Sequence, residues 1–411
     1  MGNDVAEQSA QTHGGEADFP SPARPRPRPA PPDRLADLGL DPATRAQLQR
    51  YGFDRGLFDR LRGRLRGGAA FHTRDDEKVT GQVVAPRPDD LRPLPLPGNS
   101  EHAALAEIGR QAIAAGQVGL VILAGGMATR FGGGVKAAVE VLPGRSFLEL
   151  KLADARQICR QTGGHVPVYL MVSFATDDVV ATLGRQASTR DVPVETVAQF
   201  VSLRLEGSGS LFRDAEGAAS PYAPGHGDLT FALRASGALA RFRQSGGRLL
   251  LVSNVDNLGA TLDPAVIGAH LAEARPVTVE VVRAQPGDVG GAPARVNDVL
   301  QIVEGFRFPS TFDQSTLPAF NTNTFVLDAA AIDRDFDLSF FCVHKQVAGR
   351  TVVQFERLLG EITAFLPTSL LVVPRHAPHG RFEPIKDPGD LERRRDSIRS
   401  SLAARGVIDA A

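Results

Sequence analysis

The feature that most constrains this chain is the run Val118–Leu123, six apolar or glycine residues that lead straight into Ala124-Gly125-Gly126-Met127-Ala128-Thr129-Arg130-Phe131-Gly132-Gly133-Gly134-Val135-Lys136. A strand without polar positions belongs inside a parallel sheet covered on both faces. A glycine-rich loop leaving such a strand lets backbone N–H groups approach anionic oxygens, and Arg130 and Lys136 add fixed positive charge beside it. The loop is not a Walker loop, because Lys136 is followed by Ala137 rather than Ser or Thr. It also lacks the G-x-G-x-x-G spacing of a dinucleotide fingerprint.

Further apolar runs follow at 166–172, 249–252, 277–282 and 325–327, with helical spacing at 147–160 and 233–243. Strand alternating with helix predicts an α/β fold with a doubly wound, mixed and mostly parallel sheet. Upstream, Leu35, Leu38, Leu40, Leu48, Tyr51, Phe53, Leu57, Phe58 and Leu61 recur at near-helical spacing over 35–67. Asp41-Pro42 reads there as an N-cap followed by proline at the first helical position. Residues 86–97 read as a proline-rich connector and 103–115 as a helix closed by Gly116. Residues 1–34 form a low-complexity tail centred on alternating Arg and Pro. Such a segment cannot join a ladder or bury enough apolar surface to offset ordering, so it is expected to be disordered.

The bulk numbers exclude several classes. The net charge of −1 gives no overall basic field toward nucleic acid or membrane lipid. Two cysteines, Cys159 and Cys342, are too few for a disulfide framework or a thiolate zinc site. No apolar run reaches the length of a membrane span. The polar, acidic first ten residues do not read as a signal peptide, and Ala6 stands where a myristoylation signal wants Ser or Thr. A soluble, cytoplasmic protein is the expectation.

Several polar segments stand out among these runs. Val197-Ala198-Gln199 offers an amide that both donates and accepts, as a pyrimidine edge requires. Pro224-Gly225-His226-Gly227-Asp228 sets a histidine between two glycines, a loop against which a flat base can press. Ser253-Asn254-Val255-Asp256-Asn257-Leu258-Gly259-Ala260-Thr261 puts an aspartate past the carboxyl end of a buried strand, where open α/β sheets bind ligands. A hard carboxylate oxygen there suits Mg²⁺ beside a triphosphate. Phe320-Asn321-Thr322-Asn323-Thr324 offers uncharged amides and hydroxyls, which suit sugar hydroxyls. Ile302-Val303-Glu304, Gln354-Phe355-Glu356-Arg357 and Arg381-Phe382-Glu383-Pro384-Ile385-Lys386 complete the set.

In this order the segments resemble the UDP-glucose pyrophosphorylase family of sugar nucleotidyltransferases, with its L-x-G-G-x-G-T, P-G-H-G-D, D-N-L-G-A-T, N-T-N and R-F-x-P-V-K motifs. The resemblance runs from about residue 96 to 391. It implies a Rossmann-like, glycosyltransferase-A-like nucleotidyltransferase core with an N-terminal helical segment. The expected organisation is a tail at 1–34, a helical region and connector at 35–110, the catalytic core at 111–340, and a segment at 341–411 that completes the site. The resemblance places UTP on Leu123, Ala124, Gly125, Gly126, Gln199, Gly225 and Asn254, with Gln199 and Gly225 at the uracil. It places the sugar substrate on His226, Glu304, Asn321 and Asn323, a Mg²⁺ cofactor on Asp256, and the catalytic cations at Lys136, Lys386 and Arg130. Two departures stand out. Ala128 replaces a glycine, and the stretch from Gly132 to Lys136 is one residue shorter with Val135 in place of proline, which bears on the reach of Lys136. About two dozen residues follow Lys386, too few for the C-terminal β-helix of eukaryotic members, so a monomer or small homo-oligomer is expected. The implied chemistry is attack of glucose 1-phosphate on the α-phosphorus of UTP, giving UDP-glucose and pyrophosphate. Galactose or N-acetylglucosamine 1-phosphate is the alternative substrate, although the N-acetylglucosamine branch typically carries asparagine where His226 stands. A silent nucleotide-sugar-binding regulator is the alternative from another class.

Overall fold

The computed structural model describes residues 35–66, 77–376 and 378–409. The disordered tail expected at 1–34 lies outside the described residues. Contacts group Met1–Gly39 and Leu40–Ala411 into two separate units. In the first, Ala36–Leu38 forms a short 3-10 turn. Everything below concerns the second.

The frame is an eight-stranded sheet of β1 (Leu91–Pro93), β2 (Val118–Leu123), β3 (Val168–Val172), β4 (Val194–Ala198), β5 (Leu249–Asn254), β6 (Val277–Arg283), β7 (Ala319–Asp328) and β8 (Thr368–Val372). Their spatial order is β1-β8-β6-β7-β5-β2-β3-β4. All neighbours run parallel except at β7, which lies antiparallel to both β5 and β6. The expected mixed, mostly parallel α/β sheet is therefore present. The chain runs outward from β2 through β3 to β4 and then returns to place β5 beside β2 in full register, Leu249 opposite Val118 and Asn254 opposite Leu123. The two connections diverge at this point, which is where a doubly wound sheet opens a crevice at its carboxyl edge.

Alternating side chains feed two cores. Leu120, Ile122, Leu249 and Leu251 face one layer, while Val121, Leu250 and Val252 face the other. The described helices are α1 (Pro42–Arg50), α2 (Arg55–Arg66), α3 (Ser100–Ala114), α4 (Phe147–Thr162), α5 (Asp177–Ala187), α6 (Leu229–Ala235), α7 (Ala238–Gln244), α8 (Pro264–Glu273) and α9 (Pro388–Ala404). Helices α3, α4, α5, α8 and α9 supply the first core, and α6 and α7 the second. Asp41 caps α1 as its sequence position predicts, its Oδ1 accepting from Thr44 N at 2.9 Å.

Three readings of the sequence need correction. The helix expected over 233–243 is two helices, because Ser236-Gly237 interrupts it with Gly237 at φ 74°. The connector at 86–97 contains β1, whose Pro93 is tolerated because the strand forms the sheet edge. The short apolar run at 325–327 lies near the end of a ten-residue strand whose polar earlier part the hydrophobic pattern cannot show.

Helices α3 and α8 pack unusually closely. A Cβ at Gly268 would lie 1.9 Å from Leu105 O, and one at Gly109 would lie 1.8 Å from Pro264 O. Gly268→Ala is therefore expected to lower unfolding free energy by about 1–3 kcal/mol through overpacking. That loss outweighs the roughly 1 kcal/mol that alanine gains over glycine in a helix. Urea unfolding checks this; a variant as stable as the parent would refute the close packing.

Candidate active site

The loops after β2 and β5 meet at the crevice. Lys136 Nζ lies 2.9 Å from Asp256 Oδ2, and Lys386 Nζ lies 3.2 Å from the same oxygen. Three segments separated by more than a hundred residues thus converge on one carboxylate, as the sequence reading required. The Asp256 side chain is 6% exposed, that of Lys136 19% and that of Lys386 45%. An ion pair as open as Lys386–Asp256 is worth at most about 1 kcal/mol, so that pair does not hold the fold. Two ammonium groups on one carboxylate leave a net positive charge, which suits a polyanion.

Backbone bonds place the three side chains. The first loop closes on itself, with Ala128 N donating to Gly134 O at 2.8 Å and Lys136 N to Gly126 O at 3.2 Å. Ala128 is buried at φ −87°, a conformation any residue adopts, so the methyl that replaces a glycine hydrogen is accommodated. The shortened loop still delivers Lys136 to Asp256. Arg130 stands exposed on the same loop and makes no hydrogen bond to a described residue. On the other side, the chain at 381–386 is zipped to the turn after β5. Ile385 N donates to Asp256 O at 3.0 Å, Glu383 N to Asn257 Oδ1 at 2.9 Å, and Asn257 Nδ2 to Arg381 O at 3.2 Å. Lys386 then immediately precedes the N-cap of α9, whose Asp390 accepts from Lys386 N at 2.9 Å.

Gln199 follows β4 at the same edge and lies against the first loop, since a Cβ at Gly125 would come 2.1 Å from its Nε2. Ser173 Oγ donates to Gly125 O at 2.9 Å and fixes that peptide. The 224–228 loop is pinned to Arg357. Arg357 N donates to Pro224 O at 2.9 Å, Gly227 N donates to Arg357 O at 3.0 Å, and a Cβ at Gly227 would lie 2.5 Å from Arg357 C. The guanidinium pairs with buried Asp228 at 2.5 Å and lies over the rings of Phe231 and Phe340 at 4.2 and 4.9 Å. His226 Nδ1 accepts from Leu359 N at 3.1 Å, which puts the ring proton on Nε2. Desolvation pushes the imidazole down to about 4, so it is neutral at pH 7.

Because β7 runs antiparallel, its first residues reach the same edge. Asn323 Nδ2 donates to Asn254 Oδ1 at 3.0 Å, and Asn323 N donates to Asn321 Oδ1 at 2.9 Å. A bulge of Thr322 and Asn323, with Asn323 at φ 57°, turns this stretch toward β5. Glu304 ends the strand Val299–Glu304 of a small antiparallel sheet and pairs with Gly291. A Cβ at the adjoining Gly290 would lie 3.2 Å from Phe320, the residue before Asn321. Burial raises the Glu304 carboxyl, with Arg307 opposing.

Sequence reasoning missed a buried charged layer beneath these loops. Arg381 clasps Glu280 of β6 through two bonds of 2.7 and 2.6 Å. Lys151 and Asp154 of α4 are buried among Leu148, Leu152 and Ala155. Burial pushes the Lys151 ammonium down to about 7. The available signal was a lysine and an aspartate on an otherwise apolar helical face.

A family model described as "UTP--glucose-1-phosphate uridylyltransferase" matches residues 87–398, more than half of the 411-residue chain. The chain belongs to this family. A uridylyltransferase of that name from Encephalitozoon cuniculi is 27% identical over 67% of this chain and 57% of its own length. One from Astragalus penduliflorus is 27% identical over 87% of this chain and 76% of its own length. The chain thus spans little more than half of the first of these. Among solved structures, a UDP-glucose pyrophosphorylase mutant from Leishmania major in complex with UDP-Glc is 23% identical, covers 87% of this chain and 76% of its own, and has a TM-score of 0.64. A uridine diphosphate N-acetylglucosamine pyrophosphorylase from Trypanosoma brucei is 20% identical, covers 88% and 82%, and has a TM-score of 0.70. These likenesses establish the nucleotidyltransferase fold for this uridylyltransferase family member. No helix among the described residues is long and apolar enough to cross a membrane.

The neutral His226 has a consequence for acid stability. Its ordinary value of 6.5 applies to the unfolded chain and about 4 to the folded one. Between these values the unfolded state binds more protons, so His226 contributes stability above pH 6.5 that is lost as pH falls through 4. His226→Asn is expected to flatten the dependence of unfolding free energy on pH in that window. Urea unfolding across the window would show it, and parallel curves for parent and variant would contradict it.

Proposed function

We propose that this chain is a uridylyltransferase that forms UDP-glucose and pyrophosphate from UTP and glucose 1-phosphate. The observation that carries the reading is the convergence of Lys136 and Lys386 on one oxygen of Asp256 at the switch point of the sheet. The sugar phosphate is an anion at neutral pH and needs no general base. Its oxygen attacks the α-phosphorus of UTP in line, a P–O bond forms, and the bond to the bridging oxygen breaks as pyrophosphate leaves. The obstacle is bringing two polyanions together, so positioning and fixed positive charge are the catalytic means. Lys136 and Lys386 supply the charge, and Arg130, exposed on the same loop, is the third cation of the reading.

Asp256 fits a Mg²⁺ ion that also binds substrate phosphates. The described residues hold no cluster of three His, Cys, Asp or Glu that would cage a metal alone, and Mg²⁺ characteristically takes one or two carboxylates plus phosphate oxygens and water. Both lysines contact Oδ2, and Oδ1 accepts no hydrogen bond from a described residue. When bound, the ion would neutralise charge developing on the phosphate oxygens. Gln199 against Gly125 supports a pyrimidine edge at the first loop. His226, a neutral donor through Nε2, and the Asn254–Asn323–Asn321 chain support sugar and phosphate oxygens without adding charge. The names of the relatives support glucose as the sugar.

Pyrophosphate release should appear with UTP and glucose 1-phosphate and be far weaker with ATP, CTP or GTP. Turnover preferring galactose or N-acetylglucosamine 1-phosphate would move the sugar assignment, and UDP-glucose binding without turnover would favour the regulator. Lys386→Ala is expected to lower kcat about 100-fold or more, roughly 3 kcal/mol of barrier, while unfolding free energy moves by less than about 1 kcal/mol. Near-normal turnover would remove Lys386 from the clamp. Asp256→Asn should shift the Mg²⁺ titration of the rate to higher concentration, and an unchanged titration would count against the metal role.

A further inference from the structure

The turn that carries Asp256 is poorly held by its own backbone. Within it, Asn257 N to Asn254 O and Ala260 N to Asn257 O are both 3.3 Å, at the weak end for amide bonds, and only Thr261 N to Gly259 O, at 2.9 Å, is short. Val255 N reaches Leu123 O of β2 at 3.3 Å, and the other external ties are shorter. On one side they come from 381–386, described above. On the core side they come from one face of α4. Lys151 Nζ donates to Ser253 Oγ at 2.9 Å and to Ala260 O at 2.5 Å. Asp154, one helical turn on, accepts from Leu262 N at 2.8 Å and is itself held by Arg405 at 3.1 Å.

Ser253 and Ala260 lie just before and just after the residues of the turn that bear Asn254, Asp256 and Asn257. We propose that Lys151 is a positioning residue that clamps both ends of the 253–260 turn and so fixes where the Asp256 carboxylate stands. The inference rests on the uridylyltransferase reading only for its kinetic consequence; the clamp is a property of the free protein. Burying an ammonium among leucines is unfavourable unless its donors are satisfied, and an apolar residue of similar length would pack there at no such penalty. Lys151 is 3% exposed, so it does not serve solubility or a surface ion pair. Two of its three donors are spent on the active-site turn. Burial and Arg381 oppose the charged form, while the negative charges of Asp154, Glu280 and Asp256 favour it.

The experiment pairs amide hydrogen exchange with steady-state kinetics on the full chain for Lys151→Met and Ser253→Ala. Lys151→Met keeps the volume and removes both donors; Ser253→Ala removes one tie while leaving the buried charge. Exchange at 253–261 is expected to quicken in both variants, more in Lys151→Met, with α4 and β2 still protected. The kcat for pyrophosphate release should fall about 10–100-fold in Lys151→Met, while KM for UTP stays within about threefold of the parent, because displaced Asp256 harms the transition state more than ground-state binding. The two substitutions should be non-additive, since the Lys151–Ser253 bond is lost in both. Unchanged exchange at 253–261 in both variants would overturn the clamp, as would exchange that quickens equally across the sheet, which marks general loosening. A parent chain that exchanges normally but releases no pyrophosphate would defeat the uridylyltransferase reading and leave the clamp to be decided by exchange alone.

Discussion

Two lysine ammonium groups share one carboxylate oxygen at the carboxyl edge of the sheet, and much of the surrounding structure can be understood as the means of holding them there. Like charges at this distance repel, and exposed ion pairs contribute little to stability. Attraction to Asp256 is therefore not what keeps the open Lys386 in place. The closing hydrogen bonds of the first loop orient Lys136, and the backbone zip between 257 and 381–385 orients Lys386. The positive charge is set before any phosphate arrives, which is what preorganisation requires.

The sheet supplies the rest of the geometry. Return of β5 to the side of β2 makes the crevice, and β4 brings Gln199 to its outer rim. The reversed β7 carries Asn321 and Asn323 to the edge where its parallel neighbours end, which an all-parallel sheet would not do. The hairpin of Phe341–Val347 and Arg350–Glu356 runs directly into Arg357, the residue that fixes the histidine-bearing loop. Distant parts of the sequence thus act on one small volume through backbone contacts that tolerate few side chains, Gly227 among them.

What the sequence revealed, and what it concealed, follows from range. Val118–Leu123 and the two flanking glycine-rich and aspartate-bearing loops are local patterns, and they mark β2, Lys136 and Asp256 directly. The meeting of Asp256 with Lys386 was legible only through a resemblance, because nothing within either segment encodes the other. The direction of β7, the edge strand at Leu91–Pro93 and the Arg381–Glu280 pair depend on partners far away in the chain, so periodicity could not supply them. Lys151 was hidden differently. Its helix is legible, but a lysine and an aspartate on an apolar stripe are easily taken for surface residues. The chain has only five lysines, Lys78, Lys136, Lys151, Lys345 and Lys386, against many arginines. Three of the five surround one turn.

That scarcity makes the central claim directly measurable. A short amine-reactive cross-linker applied to the native chain, followed by peptide mass spectrometry, reports which lysines approach one another. The account predicts a cross-link joining Lys136 to Lys386, diminished when UTP and Mg²⁺ are present. Modification of both lysines singly, with no cross-link between them under any condition, would contradict it.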